Sequence, residues 1–148
     1  MAGAPDLPDT ASYLRTLPEA ECLELLGVAS VGRIGFVSPA GVQIIPVNYR
    51  LGAGPQLFMK TAPDSALALL AETDAPVAFE VDYHADDFRI AWSVLMQGAI
   101  SRLDAAATAA FEELRRPPVP WAGPASSLPM RFVPRTFSGR GLYRTRPD

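Results

Sequence analysis

Lys60 is the only lysine in a chain of 148 residues, and it stands in Phe58-Met59-Lys60-Thr61 with Ser65 close behind. One cation and two hydroxyls between a strand-like run and a helix start form a donor set suited to a phosphate. Upstream, Ile45-Pro46-Val47-Asn48-Tyr49 places a proline in an otherwise good strand sequence. Proline cannot donate to a sheet ladder, so it belongs at an edge, a bulge or a place where pairing stops. There the backbone groups of Val47 and Asn48 are open to a flat heterocycle with an imide edge. Downstream, Ala91-Trp92-Ser93-Val94 supplies an indole that can border a ring and a hydroxyl that can bond to it. Together the three segments suit a planar, phosphorylated cofactor. Each also has a plainer reading: Pro46 as a barrel bulge, Asp64 and Ser65 as helix caps beside a solvated Lys60, and Trp92 as a core side chain.

Other chemistries find little to work with. His84 is the only histidine and lies in the acidic run Asp82-Tyr83-His84-Ala85-Asp86-Asp87, which reads as a solvated loop. A nucleophile–base–acid triad has no motif around it, and a metal site would need several nitrogen or sulfur ligands. The aspartates lack the glycine and terminal glutamate of a calcium loop. No side chain stands out as a general acid or base, so the catalytic residues are unknown. The lone Cys22 excludes an internal disulfide and fits a reducing cytoplasm. A net charge of -3 argues against nucleic acid as the main partner. The apolar runs fall short of the roughly 18 residues of a membrane span. Met1 to Pro8 shows no export pattern.

The elements that must hold these residues can be traced along the chain. Residues 1–15 read as a loose polar leader and residues 16–148 as one domain. Thr16 is expected to cap a helix that starts at Pro18-Glu19 and stops at Gly27. Strands follow over Ser30 to Val37 and Val42 to Leu51, joined by a turn at Ser38-Pro39-Ala40-Gly41. After Gly52-Ala53-Gly54-Pro55 come a strand from Gln56 to Thr61 and a short helix through Ala66 to Leu70, capped by Asp64. Strands over Val77 to Val81 and Ile90 to Leu103 precede a helix from Asp104 to Arg115, a proline-rich loop with Trp121, and a last strand over Met130 to Arg144 broken by Pro134. Six β segments with short turns and three modest helices predict a mainly β, antiparallel barrel with helical caps.

The order and spacing of these segments resemble the pyridoxamine 5'-phosphate oxidase-like family, the flavin-binding split barrels, over residues 18–145. Gly32-Arg33-Ile34-Gly35-Phe36, Pro46 to Tyr49, Phe58 to Ser65, Val77 to Asp82 and Trp92-Ser93-Val94 with Gly98 carry the likeness. Arg131 to Pro134 and Ser138-Gly139-Arg140 resemble the closing strand of small actinobacterial members. The resemblance implies a six-stranded antiparallel Greek-key split barrel, a cytoplasmic homodimer, and two FMN sites at the subunit interface. It implies an FMN-dependent oxidoreductase acting on a small molecule, with the flavin carrying hydride or electrons through N5. By the same likeness Pro46, Val47 and Asn48 face the ring, Lys60, Thr61 and Ser65 the phosphate, Trp92 and Ser93 lie near the ring or the dimer seam, and Phe58 is a further cofactor-binding residue. Related groups bind a deazaflavin coenzyme or haem, and a degenerate barrel that binds a ligand or partner without catalysis is a further alternative. Many members carry a cation just after the serine, where this chain has Ala66 and Leu67. Arg33 or Arg50 is then the candidate to complete the phosphate site, and Leu67→Lys is expected to tighten FMN.

Overall fold

Val77, Phe79 and Val81 are buried while Ala78, Glu80 and Asp82 face outward; the same period of two runs through Gly32, Ile34 and Phe36 and through Val94, Met96, Gly98 and Ile100. Strands with that pattern bury one face only and must curl or pair to cover it. The computed structural model, which describes residues 12–86, 89–119 and 128–144, shows how. Eight strands, β1 (Ser12–Leu17), β2 (Val31–Ser38), β3 (Gly41–Asn48), β4 (Arg50–Leu51), β5 (Leu57–Thr61), β6 (Val77–His84), β7 (Ile90–Arg102) and β8 (Leu128–Arg144), form one antiparallel sheet. Its order is β3-β2-β6-β7-β8-β5-β4, with β1 also on β8. The sheet curls into a split barrel around Tyr49, Phe79 and Phe132, all fully buried. Phe79 meets the Tyr49 ring edge-on at 5.5 Å and the Phe132 ring at 5.3 Å.

Three helices close the open parts. Helix α1 (Glu19–Val28) buries Cys22 and Leu26, and the Tyr49 hydroxyl donates 2.8 Å to the Leu26 carbonyl near its end. Helix α2 (Ala66–Leu70) buries Leu67 and Ala68. Helix α3 (Ala105–Glu112) begins where the Asp104 carboxylate accepts from the Ala107 N–H at 2.8 Å. Its Phe111 ring lies edge-on to Phe58 at 5.7 Å. At Gly98 the pairing of β7 with β8 slips opposite Pro134. A Cβ there would collide with the Val133 carbonyl, so glycine is what lets the two backbones approach.

Several expectations need correction. The segment expected to be a loose leader is strand β1 from Ser12, paired along β8, and residues 1–11 lie outside the described residues. Thr16 belongs to that strand, opposite Arg140, so it does not cap α1; Pro18 holds the cap position without a side-chain bond. Ser65, not Asp64, caps α2. Strand β6 continues to His84, so the run expected as a loop from Asp82 is paired with β7 that far. The strand expected over Val42 to Leu51 breaks at Tyr49, which with β1 raises the expected six strands to eight. Helix α3 stops at Glu112, short of Arg115. Trp121 lies outside the described residues.

Candidate functional site

The corner between β5 and α2 brings two predicted hydroxyls together. Thr61 Oγ1 and Ser65 Oγ lie 2.7 Å apart, and Ser65 Oγ also accepts from the Ala68 N–H at 3.2 Å. Thr61 is 9% exposed and Ser65 is half-buried, so the pair is partly shielded from water. Two hydroxyls carry two O–H donors and their mutual bond uses one, which leaves one O–H for an oxyanion. Helix α2 is only 5 residues long, so its dipole adds little and the hydroxyls themselves are the available donors.

Lys60 is placed differently. Successive strand residues point to opposite faces, and Lys60 extends on the side of α3, where its Nζ lies 5.8 Å from the centre of the Phe111 ring. Phe58 is on the same face and fully buried. Of the two arginines named as substitutes, Arg33 Nη1 is held at 3.2 Å by Glu80 and at 3.2 Å by Asp82. Arg50 is the less committed one; its Nη1 donates 2.7 Å to the Tyr49 carbonyl.

Pro46 sits in β3 opposite Arg33, and pairing with β2 runs unbroken from Asn48 to Gly41. The expected interruption is therefore an edge: among the described residues β3 pairs with β2 alone, a position where a missing N–H costs no ladder bond. Half of the β3 backbone groups, in alternation, face away from β2. Val47 points into the core, and the Asn48 amide donates 2.8 Å to the Val119 carbonyl.

Trp92 and Ser93 lie elsewhere, on β7 between β6 and β8. Trp92 stacks on Tyr83 with centroids 6.3 Å apart. With Asp82, His84 and Arg140 they line a surface cavity of about 290 Å3 that neither the β3 edge nor the β5–α2 corner reaches. Sequence reasoning did not join Asp82, Ser93 and Arg140, which the register aligns across three strands. The strand period extended past Val81 would have found them.

Glu80 is the perturbed acid of this face. Burial pushes its carboxyl above the usual range and the charge of Asp82 adds to that, while Arg33 pulls it back. A carboxyl whose pKa is higher folded than unfolded favours the folded state when protonated. That contribution is full below the ordinary value of 4.5 and is lost as pH rises through the folded value. Glu80→Gln should therefore raise thermal stability at pH 7, by about 1 kcal/mol or less, since Asp82 keeps Arg33 paired. The gain should vanish below the ordinary value; a gain of equal size at both pH values would contradict it.

The family model described as pyridoxamine 5'-phosphate oxidase matches residues 18–141. The chain is 25% identical to the FAD binding protein from Mycobacterium smegmatis, with a TM-score of 0.71 over 88% of this chain and 98% of that one. It is 26% identical to a candidate pyridoxamine 5'-phosphate oxidase from Corynebacterium glutamicum, with a TM-score of 0.69 over 97% and 100% of the two chains. An FAD-binding protein from Mesorhizobium loti, 19% identical, shares the fold with a TM-score of 0.70 over 89% of this chain and 98% of that one. No curated protein matches the sequence.

Proposed function

The chain belongs to the pyridoxamine 5'-phosphate oxidase family, and from that premise we propose that it is a homodimeric, FMN-dependent oxidoreductase acting on a small molecule. The observation that carries this reading is the part-buried Thr61–Ser65 hydroxyl pair with an O–H to spare. It fits the phosphate end of the cofactor. The open edge of β3 at Pro46 to Asn48 fits the ring end, with backbone groups facing away from β2. Bound there, the flavin would supply hydride or electron transfer, while the chain supplies orientation and partial exclusion of water. A similarity to the FAD binding protein from Mycobacterium smegmatis favours a second reading, in which the flavin is FAD.

The dimer completes the arrangement. The Trp92–Ser93 groove and the β3 edge occupy separate parts of one chain, and a symmetric second copy brings one against the other. The outer face of β2 and β3 is apolar enough for such a partner: Val37, Val42 and Ile44 are 71%, 78% and 69% exposed. Light scattering should return twice the chain mass; a value near 15.9 kDa at micromolar concentration would refute the dimer.

The phosphate end is tested by comparing FMN with riboflavin. Ser65→Ala should weaken FMN by about tenfold and leave riboflavin nearly unchanged. It also removes the α2 cap, at about 1 kcal/mol of apo-protein stability, which thermal unfolding reads separately. Lys60 lies on the face of β5 opposite Thr61, so Lys60→Ala should leave FMN and riboflavin affinities nearly unchanged; a selective loss of FMN would put Lys60 at the phosphate and contradict this placement.

A further inference from the structure

Between the end of α1, β4 and the segment after α3 lies a cavity of about 570 Å3. Arg50, Arg115 and Arg116 line it, together with Ser30. Arg50 is half-buried and held in place by its bond to the Tyr49 carbonyl. Arg115 and Arg116 are exposed, and no ion pair holds either of them among the described residues. Glu112 and Glu113 precede them in the chain, but among the described residues no carboxylate lines the cavity. Arg15, Arg33, Arg102, Arg131 and Arg135 by contrast each pair with an acid, whereas Arg140, at the Trp92–Ser93 groove, likewise stands outside such pairs among the described residues. Three guanidiniums around one cavity with no acid among them favour a polyanion, and their fork geometry suits phosphate oxygens.

The cavity offers more than charge. Its volume is several times that of one phosphate and lies in the range of nucleotide-sized sites. Leu51 and Leu114 give it apolar wall against which a flat ring can lie. Its remaining wall is the end of α1. There the Leu25 carbonyl already accepts from Ala29 N–H and the Leu26 carbonyl from the Tyr49 hydroxyl. Gly27 and Val28, which line the cavity, contribute the next helix-end carbonyls, acceptors for ligand N–H groups. A ligand matching all three has two or more phosphates, a flat ring and an exocyclic amine. We propose that this cavity binds the adenosine diphosphate group of a dinucleotide. Arg50 follows Asn48 by two residues and pairs with Phe58, so the cavity adjoins the residues assigned to the flavin. The group can therefore be the distal half of a dinucleotide flavin or part of a nicotinamide electron donor. Only that choice rests on the flavin reading.

The test is calorimetric titration of the full chain with ADP, with and without FMN. ADP should bind saturably, once per chain. The double variant Arg115→Ala/Arg116→Ala should bind ADP at least about tenfold more weakly, with FMN affinity and melting temperature unchanged. Arg102→Ala/Arg135→Ala removes the same charge elsewhere and should leave ADP binding as it was. If FAD binds more tightly than FMN and the Arg115/Arg116 variant abolishes the difference, the group is the flavin's own tail. If FAD and FMN bind alike while a nicotinamide dinucleotide competes with ADP, the group belongs to the donor; both results support the site. Absence of saturable ADP binding, or an equal loss in the two double variants, overturns it. Loss of FMN binding with ADP binding intact would instead remove the flavin reading and leave this site standing.

Discussion

Phe79→Ala should cost about 3–5 kcal/mol of folding stability, enough to leave a domain with a typical 5–15 kcal/mol close to unfolding. Phe79 is fully buried on β6, between Tyr49 and Phe132 at ring separations of 5.5 and 5.3 Å. Those partners come from the link between β3 and β4 and from β8, so the ring joins parts of the sheet that are far apart in sequence. Its other neighbour is the backbone at Gly32, where an added Cβ would strike the ring. Backbone cannot collapse into the space an alanine leaves, so the cavity term should be near its upper range. Chemical denaturation of the apo-protein measures this directly. A loss under about 1 kcal/mol would mean that the three rings do not form the packed centre.

Leu67→Lys should destabilise the protein by several kcal/mol and not tighten FMN. Where related chains carry a cation just after the serine, substitution at either following position looks equivalent from the sequence. The structure separates the two: Leu67 is 1% exposed and belongs to the core, while Ala66 is exposed. An ammonium at position 67 would have to lose its proton or pull α2 off the barrel. The cation belongs at Ala66, beside the capping Ser65. Ala66→Lys should gain about tenfold in FMN affinity from one charge-assisted contact, at little cost in stability. Thermal unfolding of both variants, with FMN titration of the folded one, decides the matter. A stable Leu67→Lys protein with tightened FMN would show that α2 is turned relative to the barrel.

The fold was readable because its longest elements carry the strongest patterns. The runs around Phe79 and Met96 alternate without interruption, and Asp104 marks the start of α3 as a cap should. Strand β1 was hidden because Ser12 to Leu17 has no clean alternation and is fixed by pairing along β8, a contact more than 120 residues away in sequence. The break at Tyr49 was hidden for a similar reason. Its ring must turn inward to reach Phe79 and the Leu26 carbonyl, and only the tertiary structure says so.

The candidate site was legible as a list more than as a place. Thr61 and Ser65 meet because a short turn returns the chain on itself, the Ser65 N–H donating 3.0 Å to the Ala62 carbonyl. Lys60, adjacent to Thr61 in sequence, departs to the other face because strands alternate. Pro46 and Trp92 lie on separate parts of the sheet, a separation that no local spacing encodes.

Flavin binding is decided by titrating the apo-protein with FMN beside riboflavin. Saturable binding of one FMN per chain is expected, seen as a change in the flavin's visible absorption, with riboflavin at least about tenfold weaker for want of the phosphate held at Thr61 and Ser65. Equal affinity for the two would remove the phosphate site, and an FMN titration that never saturates would contradict the flavin reading itself.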